Sequence, residues 1–236
     1  MRRTALDTYP LVPADDIAWI TEADMVEVDR VMIEDLHIEL LQMMENAGRN
    51  LARLVLDLAS PHRVAVAAGS GGNGGGGLVA ARHLANSGVE VIVTTTSPHG
   101  ELSPGAAHQL DILHRMGVST SETVADCDIA IDTVIGYSLR GTPHGRSASL
   151  IEQLNAIATV VALDTPSGLD VTSGRVPGTA ARAHATMTLA LPKIGLRKSE
   201  IVGDLYLADI SVPPSATAGY GSTPDFSTSS LLRIAR

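Results

Sequence analysis

Hydrophobic and polar positions along the chain follow two periodicities. From Thr21, the residues Met25, Val28, Met32 and Leu36 recur at helical spacing, with Thr21 as N-cap and Asp24 in the first turn. Leu40, Leu41, Met44, Leu51, Val55 and Leu58 predict a second helix over 38–59. Short apolar runs then take turns with helical ones. Strands are expected at 63–69, 89–96, 127–134 and 159–166, and helices at 78–88, 103–117 and 146–157. Ser103 and Pro104 open one of these helices, while Gly88 and Gly117 close two of them. Late strands are expected at 186–193 and 204–211. Pro10 and Pro13 predict a loose lead-in over 1–15, and the Ser, Thr, Pro and Gly content from Pro213 predicts a flexible tail over 214–236. The pattern describes one domain over 1–236.

Strands separated by single helices imply right-handed crossovers and a doubly wound parallel sheet, an α/β fold. Ligands of such sheets sit beyond the carboxyl ends of the strands. Three stretches fall there: the run GSGGNGGGG at 69–77, Asp132 to Gly136, and Asp164 to Ser167. Asp132 and Asp164 both follow apolar strands and should point into one crevice as base, metal ligand or loop cap. GYSLRGTPHG at 136–145 adds hydroxyls, backbone donors and Arg140, a set suited to phosphate.

Seven of the nine residues from Gly69 to Gly77 are glycine, more than a tight turn needs. Gly69 to Gly74 formally match G-x-G-x-x-G, with a helix N-terminus that attracts anions. The next strand ends TTTSPHG without the acid that would hold a ribose diol, which disfavours an ordinary dehydrogenase. No Lys-Ser/Thr pair follows the glycines, so this is no Walker loop. A G-x-S-x-G elbow is absent, and the histidines show no zinc spacing beyond a remote pairing of His108 with His114. His83 and His184 are expected as surface or satisfied core groups, and Cys127 as a small core residue.

Composition narrows the class. Apolar residues make up 44% and aromatics 3%, so the core is aliphatic, as parallel strands covered by helices require. A formal net charge of −9 argues against non-specific nucleic-acid binding. There is no run of about 18 apolar residues to span a membrane. One cysteine fits a reducing compartment, so a cytoplasmic protein is expected.

Six segments together resemble the YjeF N-terminal family, the NAD(P)H-hydrate epimerases. They are MMENAGRNLA (43–52), GSGGNGGGGLVAARHL (69–84), IDTVIGYSLRG (131–141), VVALDTPSGLD (160–170), MTLALPKIGL (187–196) and GDLYLADISVP (203–213). The resemblance implies a Rossmann-like three-layer αβα sandwich with a mostly parallel sheet. It implies interconversion of the R and S epimers of hydrated NADH or NADPH, for repair by a separate NAD(P)H-hydrate dehydratase. It also implies bound potassium and a homodimer, with the helical segment 21–59 either at the interface or packed on its own sheet. By position, Gly72, Asn73, Gly74, Gly75 and Gly76 would form the ligand loop, and Gly136, Tyr137, Ser138, Leu139, Arg140, Gly141 and Thr142 would line the nucleotide. Asp164 would contact the reacting ring and carry the proton. Asn73, Asp132 and Ser167 would hold potassium, whose hardness calls for oxygen ligands. The family loop usually reads G-x-G-N-N-G-G-D-G; Gly72 stands here for its first Asn and Gly76 for its Asp. An alternative reading is therefore a non-catalytic YjeF-type module that binds a nucleotide-like ligand or a protein.

Overall fold

The computed structural model describes residues 9–236. Its centre is a nine-stranded sheet in the order β1-β9-β8-β7-β6-β5-β2-β3-β4. The strands are β1 (Leu11–Pro13), β2 (Arg63–Ala68), β3 (Glu90–Thr95), β4 (Ser119–Thr120), β5 (Ile129–Thr133), β6 (Val160–Leu163), β7 (Ala185–Leu189), β8 (Asp204–Ala208) and β9 (Leu231–Ala235). All neighbours are parallel except β8 and β9. The helices are α1 (Glu22–Arg30), α2 (Leu40–Ala59), α3 (Gly72–Asn86), α4 (Pro104–Arg115), α5 (Gly145–Leu154) and the short α6 (Pro214–Thr217). The α/β class expected from the alternating pattern is what the chain adopts.

Local chemistry explains the starts of these helices. At α1, the Thr21 hydroxyl accepts from the Asp24 N–H while Asp24 accepts from the Thr21 N–H, a closed capping box. At α4, Ser103 caps and Pro104 fills the first position, where no N–H is needed. The central strands β5 and β6 are buried along their whole length, as a parallel sheet covered on both faces demands. From β2 the chain runs outward through β3 and β4 in one direction, then resumes at β5 on the other side. The order reverses between β2 and β5, and this reversal opens the crevice.

Three expectations change. The glycine run is a loop only through Gly71, and α3 begins at Gly72, six residues earlier than the spacing of apolar residues predicts. Glycines inside a helix cost about 0.5–1 kcal/mol each relative to alanine, and at Gly74 and Gly77 close packing requires them. A Cβ at Gly74 would lie 1.9 Å from the Gly69 carbonyl oxygen, and one at Gly77 would lie 2.1 Å from Thr133 Oγ1. The bare surface lets the start of α3 sit directly on the ends of β2 and β5.

The second change is at the C-terminus, where 214–236 does not end as a flexible tail. Leu231, Leu232 and Ile234 are buried in β9, which lies between β8 and β1. The polar composition of 213–230 hid this short apolar strand. The third is the lead-in. Residues 1–8 lie outside the described region, but β1 forms beyond them despite Pro10 and Pro13. As an edge strand it can carry proline, and the Pro10 carbonyl just before it accepts from the Arg233 N–H at 2.9 Å.

Candidate active site

A cavity of about 420 Å³ lies beyond the carboxyl ends of β2, β5 and β6. Ser70 to Gly74 and Gly76 form one wall, Val134 to Ser138 a second, and Leu163 with Asp164 the floor. Met25 and Asp29 of α1 and Met43, Met44 and Ala47 of α2 close it from above. The segment 21–59 thus packs on its own domain, with Leu51, Leu54 and Val55 of α2 buried in the main core.

Asp164 sits immediately after β6 with φ +66°, a left-handed conformation that costs a non-glycine residue about 1–3 kcal/mol. The turn is held by the Asp164 N–H, which donates to the Met187 carbonyl at 2.7 Å. Its carboxylate receives the Tyr137 N–H at 3.2 Å on Oδ2, and the Lys193 ammonium on Oδ1. Lys193 is fully buried and also donates to the Leu189 carbonyl at 2.9 Å. An ammonium removed from water needs such compensation, and an ion pair with carbonyl support supplies it. Lys193 lines the cavity beside Asp164. No sequence motif singles out this residue, although a lone charge inside the apolar run MTLALPKIGL is a legible signal.

Asp132 is also fully buried, but it faces a different set of groups. Its carboxylate accepts from Ser167 Oγ at 2.5 Å, from the Ser167 N–H at 2.7 Å and from the Val134 N–H at 3.2 Å. Ser167 Oγ in turn accepts the Ile135 N–H at 2.7 Å. These bonds tie the loop after β5 to the loop after β6. Burial pushes the Asp132 carboxyl up to about 6, against the lowering effect of its hydrogen bonds. Asn73 lies in the first turn of α3, with its side chain where a Cβ on Gly136 would come within 3.1 Å. The Asn73 amide nitrogen is buried without a hydrogen-bond partner.

The cavity brings together Gly72, Asn73, Gly74, Gly76, Gly136, Tyr137, Ser138 and Asp164 among the residues singled out from sequence. Gly75 turns instead towards Met44, whose Cε would lie 2.7 Å from an added Cβ. Leu139, Arg140, Gly141 and Thr142 lie outside the lining. Arg140 is exposed and pairs with Glu22 at the start of α1, while Thr142 Oγ1 donates to the Pro177 carbonyl at 3.3 Å. Asp132 and Ser167 lie behind the cavity wall rather than on it. A side chain at Gly72 would meet open space, with Met44 Cε 4.0 Å away. At Gly76 the Leu163 side chain occupies that room, 2.9 Å from an added Cβ.

The remaining polar candidates have structural partners. His83 Nε2 meets Glu45 Oε1 at 2.8 Å, and His184 Nδ1 accepts the Val160 N–H at 3.2 Å. Cys127 is half-buried among apolar residues, and burial raises its thiol pKa. Among the described residues, no group of three or more His, Cys, Asp or Glu side chains could hold a metal ion.

Comparison with known proteins agrees with this geometry. A family profile described as "YjeF-related protein N-terminus" matches residues 40–195. The chain is 46% identical over 205 residues to the NAD(P)H-hydrate epimerase of Dehalogenimonas lykanthroporepellens, covering 83% of each chain. It is 39% identical over 202 residues to the NAD(P)H-hydrate epimerase of Truepera radiovictrix, covering 83% of this chain and 91% of that one. A bifunctional NAD(P)H-hydrate repair enzyme, Nnr, of Hyperthermus butylicus is 37% identical over 215 residues, which span 86% of this chain and 40% of the longer protein. The crystal structure of yeast ynu0 shares the fold, with a TM-score of 0.80 at 21% identity over 92% of this chain and 100% of that one. The matched span, the relatives and the fold agree: this chain belongs to the YjeF N-terminal family.

Proposed function

We propose that this protein is an NAD(P)H-hydrate epimerase that interconverts the R and S epimers of hydrated NADH and NADPH. The observation that carries this reading is Asp164. It is a buried carboxylate paired with Lys193 on the floor of a cavity whose wall is a glycine-rich helix start. The reacting carbon of the hydrate bears both a hydroxyl and the ring nitrogen. Its inversion proceeds by ring opening and reclosure, or by loss and return of the hydroxyl through an iminium ion. Both routes need a positioned proton carrier, and Asp164 is the group we assign. Met25, Met43 and Met44 supply an apolar cover for the ring, and the first backbone N–H groups of α3 suit the pyrophosphate.

Potassium is compatible with the residues present. Asn73, Asp132 and Ser167 offer amide, carboxylate and hydroxyl oxygens, the donor class a hard monovalent cation takes. The partnerless Asn73 amide supports this, because exchanging its nitrogen and oxygen leaves a buried, uncommitted oxygen at the start of α3. Bound there, the cation would supply a fixed positive charge next to a negatively charged dinucleotide.

The longer relatives are named bifunctional NAD(P)H-hydrate repair enzymes, and from this we infer a separate NAD(P)H-hydrate dehydratase as functional partner here. A homodimer is supported by exposed apolar side chains at Val26, Ile33, Leu36, Leu40 and Leu41. No described helix is long and apolar enough to cross a membrane, and we assign the protein to the cytoplasm. The test is direct: one epimer is supplied with a dehydratase specific for the other, and consumption is followed with and without this protein. Acceleration over the spontaneous rate supports the reading. Binding of the hydrate without acceleration would favour the non-catalytic module.

A further inference from the structure

Asp29 has a place in the cavity that no sequence motif singled out. It projects from α1, lines the same cavity as Asp164, and its Oδ2 accepts the Tyr137 hydroxyl at 2.5 Å. The backbone N–H of that tyrosine donates to Asp164 Oδ2 at 3.2 Å. One residue therefore ties two carboxyl groups into one cavity, each at an opposite end of its length. The two carboxyls are partnered differently. Asp164 has an ammonium, whereas Asp29 has only a phenol on one oxygen, and its other oxygen takes no hydrogen bond among the described residues.

We propose that Asp29, oriented by Tyr137, is a second proton carrier that works opposite Asp164. This rests on the epimerase reading and commits it to the iminium route. Neutral Asp29 gives its proton to the hydroxyl oxygen of the reacting carbon. The C–O bond breaks, water departs with the bonding pair, and the ring nitrogen's lone pair forms the C=N bond. Water then adds to the opposite face. The C=N π pair returns to nitrogen, and the proton lost by the attacking water goes to the Asp164 carboxylate. The roles of the two acids are now exchanged, so the reverse turnover begins from Asp164 and no proton is gained or lost overall. Inversion through a planar iminium ion uses both faces of the ring, and the pair gives each face its own carrier.

The surroundings shift Asp29 towards its neutral form. Burial raises its pKa, opposed by the Tyr137 hydrogen bond and the Lys193 charge and reinforced by Asp164. Among the described residues these three are the titratable groups that face it, from the loop after β5, the segment after β7 and the end of β6. On its own helix, Arg30 pairs elsewhere, with Glu27 and Asp35.

The test measures epimer exchange by the purified full chain, as parent, Asp29→Asn and Tyr137→Phe, across pH. Asp29→Asn should lower kcat about 10²- to 10⁴-fold with little change in KM. It should also abolish one limb of the pH–rate profile. Tyr137→Phe removes a bond that lowers the Asp29 pKa, so it should move that limb to higher pH while the protein stays folded. An active parent with Asp29→Asn equally fast, or a limb unmoved in Tyr137→Phe, would overturn the assignment alone. An inactive parent would overturn the epimerase reading and this assignment with it.

Discussion

Replacing Lys193 with methionine keeps most of its volume and removes only the charge, which isolates the buried ion pair. In the parent, Lys193 is wholly inaccessible and donates to the Asp164 carboxylate and the Leu189 carbonyl. Once it is gone, Asp164 keeps the Tyr137 N–H at 3.2 Å and a weak Thr188 hydroxyl contact at 3.4 Å. Breaking one side of a buried pair costs about 3–5 kcal/mol, because the other charge is left uncompensated. For a chain of this size that corresponds to a fall in Tm of about 6–20 °C. Removing both charges, as Lys193→Met with Asp164→Asn, should recover at least about 2 kcal/mol of the loss, since a neutral amide tolerates the site. Urea denaturation of the four proteins in the cycle measures this coupling. A single variant within 1 kcal/mol of the parent, or strictly additive effects, would refute a tightly coupled pair.

Two further predictions concern the glycines and Asp132. Gly77→Ala sets a Cβ 2.1 Å from Thr133 Oγ1 and should destabilise by roughly 3 kcal/mol or more, whereas Gly72→Ala meets open space and should be neutral or stabilising by about 0.4–1 kcal/mol. Chemical denaturation checks both, and equal effects would contradict the close-packing account. In potassium-free buffer, Asp132 has a folded pKa of about 6, above its unfolded value of about 3.9. Its protonated form is therefore the better tolerated one in the fold. The stabilisation is complete below about pH 4 and is lost as pH rises through about 6, a change of about 3 kcal/mol. Asp132→Asn should lack that component, so its stability relative to the parent should rise between pH 4 and 7; parallel profiles would contradict it.

The strand ends were the most legible part of this molecule. Asp132 and Asp164 each follow a continuous apolar run, and position alone places them at the crevice of a parallel sheet. The alternating periodicity located most of the central elements within a few residues. It failed where packing outweighs propensity. Gly72 to Gly77 look like a loop because glycine is a poor helix former, yet at Gly74 and Gly77 contacts with Gly69 and Thr133 leave no room for a side chain. Leu231 to Ala235 were hidden by polar flanks, and a five-residue strand is stabilised by its neighbours rather than by its own sequence. Lys193 and Asp29 were missed for another reason. Their importance lies in contacts across 29 and 108 positions of sequence, Lys193 with Asp164 and Asp29 with Tyr137, which no local pattern encodes. The Gly76 position shows the same limit. The absent acid is visible in the sequence, but the Leu163 side chain that fills its place is not.

The central claim is that Asp164 moves the proton that inverts the hydrate. The measurement that tests it most directly is the rate of exchange between the two epimers, followed by NMR, with the parent and Asp164→Asn at equal concentration and equal hydrate saturation. The account predicts a fall in kcat of about 10²-fold or more for the variant, with the fold intact by circular dichroism. A variant as fast as the parent would contradict it.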